Sequence, residues 1–267
     1  MSNAPLVRTD PAARVLATAA RVLAIEGDAL RTLAAALPAD FAPAVEAMLA
    51  CRGRVIVAGI GKSGHIARKI AATLSSTGTP AYFVHPAEAS HGDLGTLTDA
   101  DVCLLLSNSG ETPELSDLIA HTRRFGLTLI ALTGGPDSTL AREADLRLIL
   151  PDAPEACIIG LAPTTSTTMA LALGDALAVA LMERRGFEAD HFRTIHPGGR
   201  LGARLARAGQ LMRGGEGLPL VAPDTAMPET LLLMTKAGYG IAGVVSEGRL
   251  VGVITDGDLR RNMVRLM

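Results

Sequence analysis

The sequence predicts an α/β fold: a parallel five-stranded sheet with helices on both faces, followed by a small α+β unit. Three observations predict it. Short, unbroken apolar runs alternate with segments of helical periodicity, the pattern of a sheet buried on both sides. Glycine-rich or hydroxyl-rich turns follow several of those runs, where parallel sheets hold their ligands. Composition then changes near residue 200, in "HPGGRLGARLARAGQLMRGGEG", a Gly/Arg-rich stretch that reads as a linker.

The elements follow in order. Ala12 to Leu37 is rich in Ala and Leu at helical spacing and predicts a long amphipathic helix ended by Pro38. A second helix begins near Pro43, a first-turn proline, and runs to about Cys51. Strands are expected at Arg54 to Ala58, Ala81 to Val84, Val102 to Leu106, Thr128 to Leu132 and Leu146 to Leu150. Helices are expected at Ile66 to Ser76, Pro113 to Phe125 and Thr165 to Arg185, the last apolar on most faces. Beyond the linker, "MPETLLLMTKAG" reads as a helix, and two Val/Ile-rich strands joined at Ser246-Glu247-Gly248 form a hairpin. That unit is only about 55 residues long and is marginal alone, so it is expected to pair with another copy.

Composition excludes several function classes. At 267 residues, with 48% apolar and 19% charged residues and a net charge of −2, the chain can bury a large core. No basic cluster points to nucleic acid. Cys51, Cys103 and Cys157 stand apart without CxxC spacing, as expected for reduced thiols in a cytoplasmic protein. No secretory leader pattern opens the chain. The most apolar segment, Met169 to Met182, contains Asp175 and is too short to span a bilayer.

Three turns could carry chemistry. In "VIVAGIGKSGH", Gly59, Gly61 and Gly64 satisfy GxGxxG, but the acid expected about 20 residues later is missing, and Ile56 stands where a Walker A motif needs glycine. A tight turn remains that presents Lys62, Ser63 and His65 at a helix N-terminus, suited to an anion or a polarised oxygen; an ordinary close-packed turn is the alternative. In "LLLSNSGETPEL", Ser107, Ser109 and Thr112 surround a glycine. One hydroxyl caps a helix, at about 1 kcal/mol. Three exceed that need and match a phosphate, with bonds of about 1.5–3 kcal/mol each to a charged acceptor. In "PDAPEACIIGLAPTTSTTMALALGDAL", Glu155 precedes a hydroxyl run that opens the last long helix and is a candidate acid or base. His85 and His91 follow the second strand with no metal-motif spacing, and His196 sits in a Pro/Gly turn.

The stretches "GIGKSGHIARKIAAT", "STGTPAYFVHPAEASHGDLG", "SNSGET", "GLAPTTSTT", "GDALAVAL" and "HPGGRLG" together resemble the sugar isomerase (SIS) family, a Rossmann-like fold, and within it the arabinose-5-phosphate isomerase branch. From about Leu211, "GVITDGDLRR" resembles one cystathionine-β-synthase (CBS) motif. The resemblance covers nearly the whole chain. It implies a SIS domain over residues 1–200, a linker over 201–210 and a single CBS motif over 211–267, where the branch commonly carries two. It implies interconversion of D-arabinose 5-phosphate and D-ribulose 5-phosphate, feeding the octulosonate (Kdo) sugar of lipopolysaccharide, with no cofactor required.

By the same resemblance Lys62, Glu114, Glu155 and His196 are catalytic. Ser63, Gly78, Thr79, His85, His91, Ser107, Ser109 and Thr112 bind substrate, and His85 is a site of inhibitory zinc. Thr255 and Asp258 stand where CBS motifs contact a nucleotide ribose, although half a CBS pair need bind nothing. Family members are typically tetramers with sites near subunit interfaces, so a cytoplasmic homotetramer in which His196 serves a neighbour's pocket is expected. The chemistry suits these residues. An aldose–ketose shift removes a carbon-bound proton and returns it to the next carbon through an enediolate, for which Lys62 is a counter-charge, with Glu114 favoured slightly over Glu155 as base and His196 opening the sugar ring. A phosphosugar sensor and an amino-sugar phosphate isomerase are the competing readings.

Overall fold

The computed structural model describes residues 10–195, 208–215 and 217–266. The chain divides into two compact units, between residues 203 and 204.

The first unit is built on five parallel strands: β1 (Val55–Gly59), β2 (Ala81–Val84), β3 (Val102–Leu106), β4 (Thr128–Thr133) and β5 (Leu146–Ile149). Their order is β2-β1-β3-β4-β5, with Val55 beside both Ala81 and Val102, Val102 beside Thr128, and Ile130 beside Leu146. β1 and β3 are buried at every residue, which is why they appear in the sequence as unbroken apolar runs.

Successive side chains point to opposite faces and divide the interior in two. Val55, Val57, Leu104, Leu106, Ile130 and Leu132 join one cluster with α2 (Phe41–Ala50), α3 (Gly61–Ser76) and α7 (Thr165–Arg184). Ile56, Ala58, Cys103, Leu105, Leu129 and Ala131 join the other, under α4 (Pro86–Ala89), α5 (Ser116–Phe125) and α6 (Thr139–Glu143). Each fully buried Leu, Ile or Val contributes about 1.5–3 kcal/mol of transfer free energy. Register is also pinned by Asp101, 4% exposed, which accepts from the N–H groups of Arg54 (2.6 Å) and Thr98 (2.8 Å) and from the Thr98 hydroxyl (3.0 Å). Burial pushes the Cys103 thiol up to about 12, so it is an inert core group.

α7 is the central helix of the first cluster. It is 20 residues long, so length does not exclude a membrane span as the shorter segment Met169 to Met182 suggested. Packing decides instead: Met169, Leu173, Leu177 and Leu181 are buried, and Asp175 pairs with Lys69 of α3. At Gly174 a Cβ would overlap the Ile70 side chain, so the missing side chain is what lets α3 lie this close. α1 (Pro11–Ala35) begins with Asp10 capping the Ala12 N–H. Only its second half reaches the core, through Ala29 and Leu33, while Val15, Leu16 and Leu23 remain about 70% exposed.

Several boundaries differ from the sequence expectation. α3 starts at Gly61 and not at Ile66, so Lys62, Ser63 and His65 form its first turn. Pro113 to Phe125 is not one α-helix: Pro113–Leu115 is a 3₁₀ turn, and α5 starts at Ser116. α4, α6 and a 3₁₀ turn at Asp93–Thr96 are additional, and α8 (Ala189–Ile195) follows α7.

The second unit holds a helix at Ala208–Leu211, which starts inside the expected 201–210 linker, then β6 (Leu220–Val221), a helix at Met227–Ala237, β7 (Ile241–Ser246), β8 (Arg249–Thr255) and a helix at Asp256–Leu266. β7 and β8 form the expected hairpin, and β6 lies parallel on the other side of β7. Leu250, Val251 and Val253 of β8 are 51–64% exposed. Thr255 and Asp258 are bonded to each other. The Thr255 N–H (3.0 Å) and hydroxyl (2.7 Å) donate to Asp258, and the Asp258 N–H returns to Thr255 Oγ1 (3.2 Å), closing a capping box on the last helix. Those bonds, chiefly from the Thr255 hydroxyl, hold the Asp258 carboxyl down at about 2.

Candidate active site

The strand order places a topological switch point between β1 and β3: the chain leaves β1 toward β2 on one side, then crosses to β3 on the other. In open parallel sheets that crevice, outside the carboxyl ends, is where ligands bind. Ser63 at the start of α3, Ser107 and Asn108 after β3, and Ser166 and Thr167 at the start of α7 line one cavity there, floored by Ile66, Leu106, Leu132 and Leu150.

Two helices open onto this cavity with their first N–H groups. Ile60, before α3, offers no side-chain acceptor, so those donors are not consumed by a cap. The loop after β3 is braced by its own hydroxyls. Ser107 is 3% exposed, and its Oγ lies 2.6 Å from Thr112 Oγ1 and 3.5 Å from Ser109 Oγ. The Gly110 N–H donates to Ser107 Oγ (3.0 Å), and the Glu111 N–H donates to Ser109 Oγ (3.2 Å). Thr112 makes no side-chain cap to the turn that follows. The hydroxyls therefore converge on one another instead of serving the helix end, and together form a compact cradle of donors for an anion.

The two glutamates of this loop separate by partner. Glu111 accepts the Thr139 N–H (2.7 Å), which together with the Thr139 side chain holds its carboxyl below the usual range. It is engaged at the start of α6. Glu114 is exposed in the 3₁₀ turn next to the cradle, and Lys62 is exposed beside Ser63.

Glu155 is held differently. Its Oε2 accepts the Thr164 N–H (2.6 Å), the Thr164 hydroxyl (2.9 Å) and the Ser166 N–H (3.4 Å), and its Oε1 accepts the Ser166 hydroxyl. Burial alone would push this carboxyl up, but the Ser166 and Thr164 bonds together outweigh it, and its pKa falls below the ordinary value. Thr164 also accepts the Ala156 N–H (2.9 Å), and Arg21 of α1 donates to the Ala156 carbonyl (3.0 Å). Thr164 and Ser166 carry no motif that marks them within the hydroxyl run; their signal in the sequence is a spacing of nine and eleven residues from a lone loop glutamate. Asn108 was likewise not singled out.

The remaining expected residues divide between the two ends of the sheet. His85 follows β2 at the carboxyl edge, where its Nδ1 accepts the Ala87 N–H (3.3 Å), and His91 is exposed six residues on. With Nδ1 engaged, His85 offers one nitrogen to a cation. Among the described residues there is no group of three or more His, Cys, Asp or Glu side chains that could hold a metal. Gly78 and Thr79 precede β2, at the amino end of the sheet, opposite the cavity. Within one chain they do not join the cradle: Gly78 packs against Phe187, and Thr79 is buried. His196 lies outside the described residues.

A hydroxyl cradle at a switch point, with a lysine and two carboxylates on the neighbouring turns, marks an α/β protein suited to a phosphorylated ligand. The SIS domain model matches residues 48–180 and the CBS domain model residues 208–265. The chain belongs to the SIS family, in its arabinose-5-phosphate isomerase branch. The arabinose 5-phosphate isomerase KdsD of Pseudomonas aeruginosa is 52% identical over 250 residues, 93% of this chain and 77% of that protein. The enzyme of the same name from Escherichia coli K12 is 48% identical over 242 residues, 90% of this chain and 74% of that protein. A solved Escherichia coli CFT073 protein, in complex with A5P, superimposes with a TM-score of 0.68 at 39% identity, covering 71% of this chain and all of its own.

Proposed function

We propose that this protein is an arabinose 5-phosphate isomerase, interconverting D-arabinose 5-phosphate and D-ribulose 5-phosphate through an enediol(ate). The observation that carries the reading is one cavity at the switch point lined by Ser63, Ser107 and Ser166, in which Ser107 gathers the Ser109 and Thr112 hydroxyls and Ser166 bonds Glu155. The substrate's name comes from the relatives, whose identity extends through both units.

In this reading the phosphate sits in the hydroxyl cradle and on the α3 N-terminus, where dipole and N–H donors favour an anion. The sugar then extends toward Lys62, Glu114 and Glu155. A carboxylate removes the C2 proton of the aldose and the proton returns to C1, while Lys62 stabilises the enediolate oxygen. The reaction is redox-neutral, since hydrogen and carbonyl both remain in the sugar, so it requires no redox cofactor. His196 opens the ring and comes from a neighbouring subunit of a homotetramer. We place the enzyme in the cytoplasm, feeding Kdo for lipopolysaccharide.

The test is conversion of D-arabinose 5-phosphate to D-ribulose 5-phosphate by wild type and Glu114→Ala, with glucosamine 6-phosphate as competing substrate. Conversion by the wild type that falls at least 100-fold in the variant supports the reading. Conversion of glucosamine 6-phosphate alone, or binding of either sugar without conversion, overturns it.

A further inference from the structure

We infer that Thr164 and Ser166 are positioning residues for Glu155, holding its carboxylate behind the cavity-lining Ser166 in one orientation and as the anion. The inference rests on the reading of Glu155 as part of the isomerase machinery. A carboxylate on a surface loop usually samples several rotamers and is solvated on both oxygens. Here both oxygens are engaged by protein donors: Oε2 by the Thr164 N–H (2.6 Å) and hydroxyl (2.9 Å), Oε1 by the Ser166 hydroxyl. Ser166 is 7% exposed and lines the cavity with Ser63 and Ser107, so its bond to Oε1 orients Glu155 relative to the phosphate cradle.

The direction of the Thr164 hydroxyl is set by its surroundings. It accepts the Ala156 N–H (2.9 Å), so its one proton is aimed at Glu155 Oε2. Thr164 stands immediately before α7 yet makes no side-chain cap to it, so its hydroxyl serves the glutamate and not the helix. The N–H groups of Thr164 and Ser166 also place the carboxylate at the positive end of α7, which favours the charged form. On the other side, Arg21 of α1 donates to the Ala156 carbonyl (3.0 Å) and ties the residue after Glu155 to the N-terminal helix. The loop tip between these two anchors, Ile158 to Leu161, is exposed, so the hydrogen bonds to Glu155 and Ala156 hold the base of the loop.

A carboxylate held this way does not have to be ordered or deprotonated when substrate arrives, and geometry that is prepaid lowers the barrier to the chemical step more than it tightens binding. Removing a donor therefore affects kcat more than KM. It also moves the acid limb of the kcat profile upward, because burial then acts on Glu155 with fewer bonds opposing it.

The experiment measures kcat and KM for D-arabinose 5-phosphate from pH 4 to 9, with thermal unfolding, for wild type, Glu155→Gln, Ser166→Ala, Ser166→Thr and Thr164→Val. Expected are inactivity of Glu155→Gln and a loss of about tenfold in kcat for Ser166→Ala, as for one bond to a charged group. Its KM should change less than about twofold, its acid limb should rise, and Ser166→Thr, which keeps the hydroxyl, should recover kcat. Thr164→Val gives the same readout on Oε2 should Ser166→Ala fail to fold. An inactive Glu155→Gln beside hydroxyl-deletion variants with unchanged kcat and acid limb overturns the inference. So does a loss that tracks only the unfolding temperature and is not recovered by Ser166→Thr. An active Glu155→Gln overturns the reading of Glu155 beneath it.

Discussion

Gly110 is the residue on which the phosphate cradle depends most directly, and Gly110→Ala tests it. Its backbone lies at φ +70°, where an alanine costs about 1–2 kcal/mol. A Cβ there would overlap both Oγ and Cβ of Ser138 and come within 3.0 Å of Thr133 Oγ1. No rotamer of Ser138 relieves an overlap with its own Cβ, so the backbone must move, at a typical overpacking cost of about 1–3 kcal/mol. The same backbone is anchored on both sides: its N–H donates to Ser107 Oγ (3.0 Å), and its carbonyl accepts the Leu140 N–H (3.1 Å). The expected total is about 2–5 kcal/mol, or a fall in Tm of about 4–20 °C for a unit of this size. Displacing Ser107 also weakens phosphate binding, raising KM for D-arabinose 5-phosphate by about tenfold or more. Calorimetry and steady-state kinetics read both quantities. The double variant Gly110→Ala/Ser138→Gly should recover the overlap part and leave the backbone part, a coupling that a double-mutant cycle isolates. A Tm within about 2 °C of wild type and an unchanged KM for Gly110→Ala would refute the reasoning.

The remaining predictions concern stability. Asp145 receives both Arg123 Nη1 (2.9 Å) and Nη2 (2.7 Å) and the Leu129 N–H (2.8 Å), and the Arg123 bonds hold its carboxyl below the usual range. Its folded pKa is depressed, so its stabilisation is complete above the ordinary Asp value near 3.9 and lost as pH falls through the folded value. Because the pair is 33% and 44% exposed, Asp145→Asn should cost only about 1 kcal/mol at pH 7 in denaturant titrations, and the difference should vanish in acid. Thr255→Ala opens the capping box of the last helix and should destabilise the second unit by about 1 kcal/mol, leaving isomerase activity unchanged; an unaltered unfolding midpoint would show that the box contributes nothing.

The sheet was legible because its strands are buried on both faces. β1 and β3 cannot alternate polar and apolar residues, and an unbroken run such as Val102–Leu106 is all that remains. The start of α3 was not legible, because "GIGKSG" has the composition of a turn, and only docking against β1 winds Gly61 to Gly64 into a helix. α4 and α6 span four and five residues, too few for any periodicity to register.

The same division runs through the site. The sequence by itself determined which residue types stand at the carboxyl edge: hydroxyls after β3, a lysine at the start of α3, and a glutamate before a hydroxyl-rich helix. The positions of the strands and the composition of the turns after them are local enough to be written in a linear pattern. Tertiary structure alone decided which of these meet. It brought the Ser109 and Thr112 hydroxyls to Ser107, turned Glu111 toward α6, closed Thr164 and Ser166 on Glu155, and left Gly78 and Thr79 at the opposite end of the sheet. Those outcomes depend on crossovers and side-chain directions, which bring together residues far apart in sequence and separate residues that a motif places side by side.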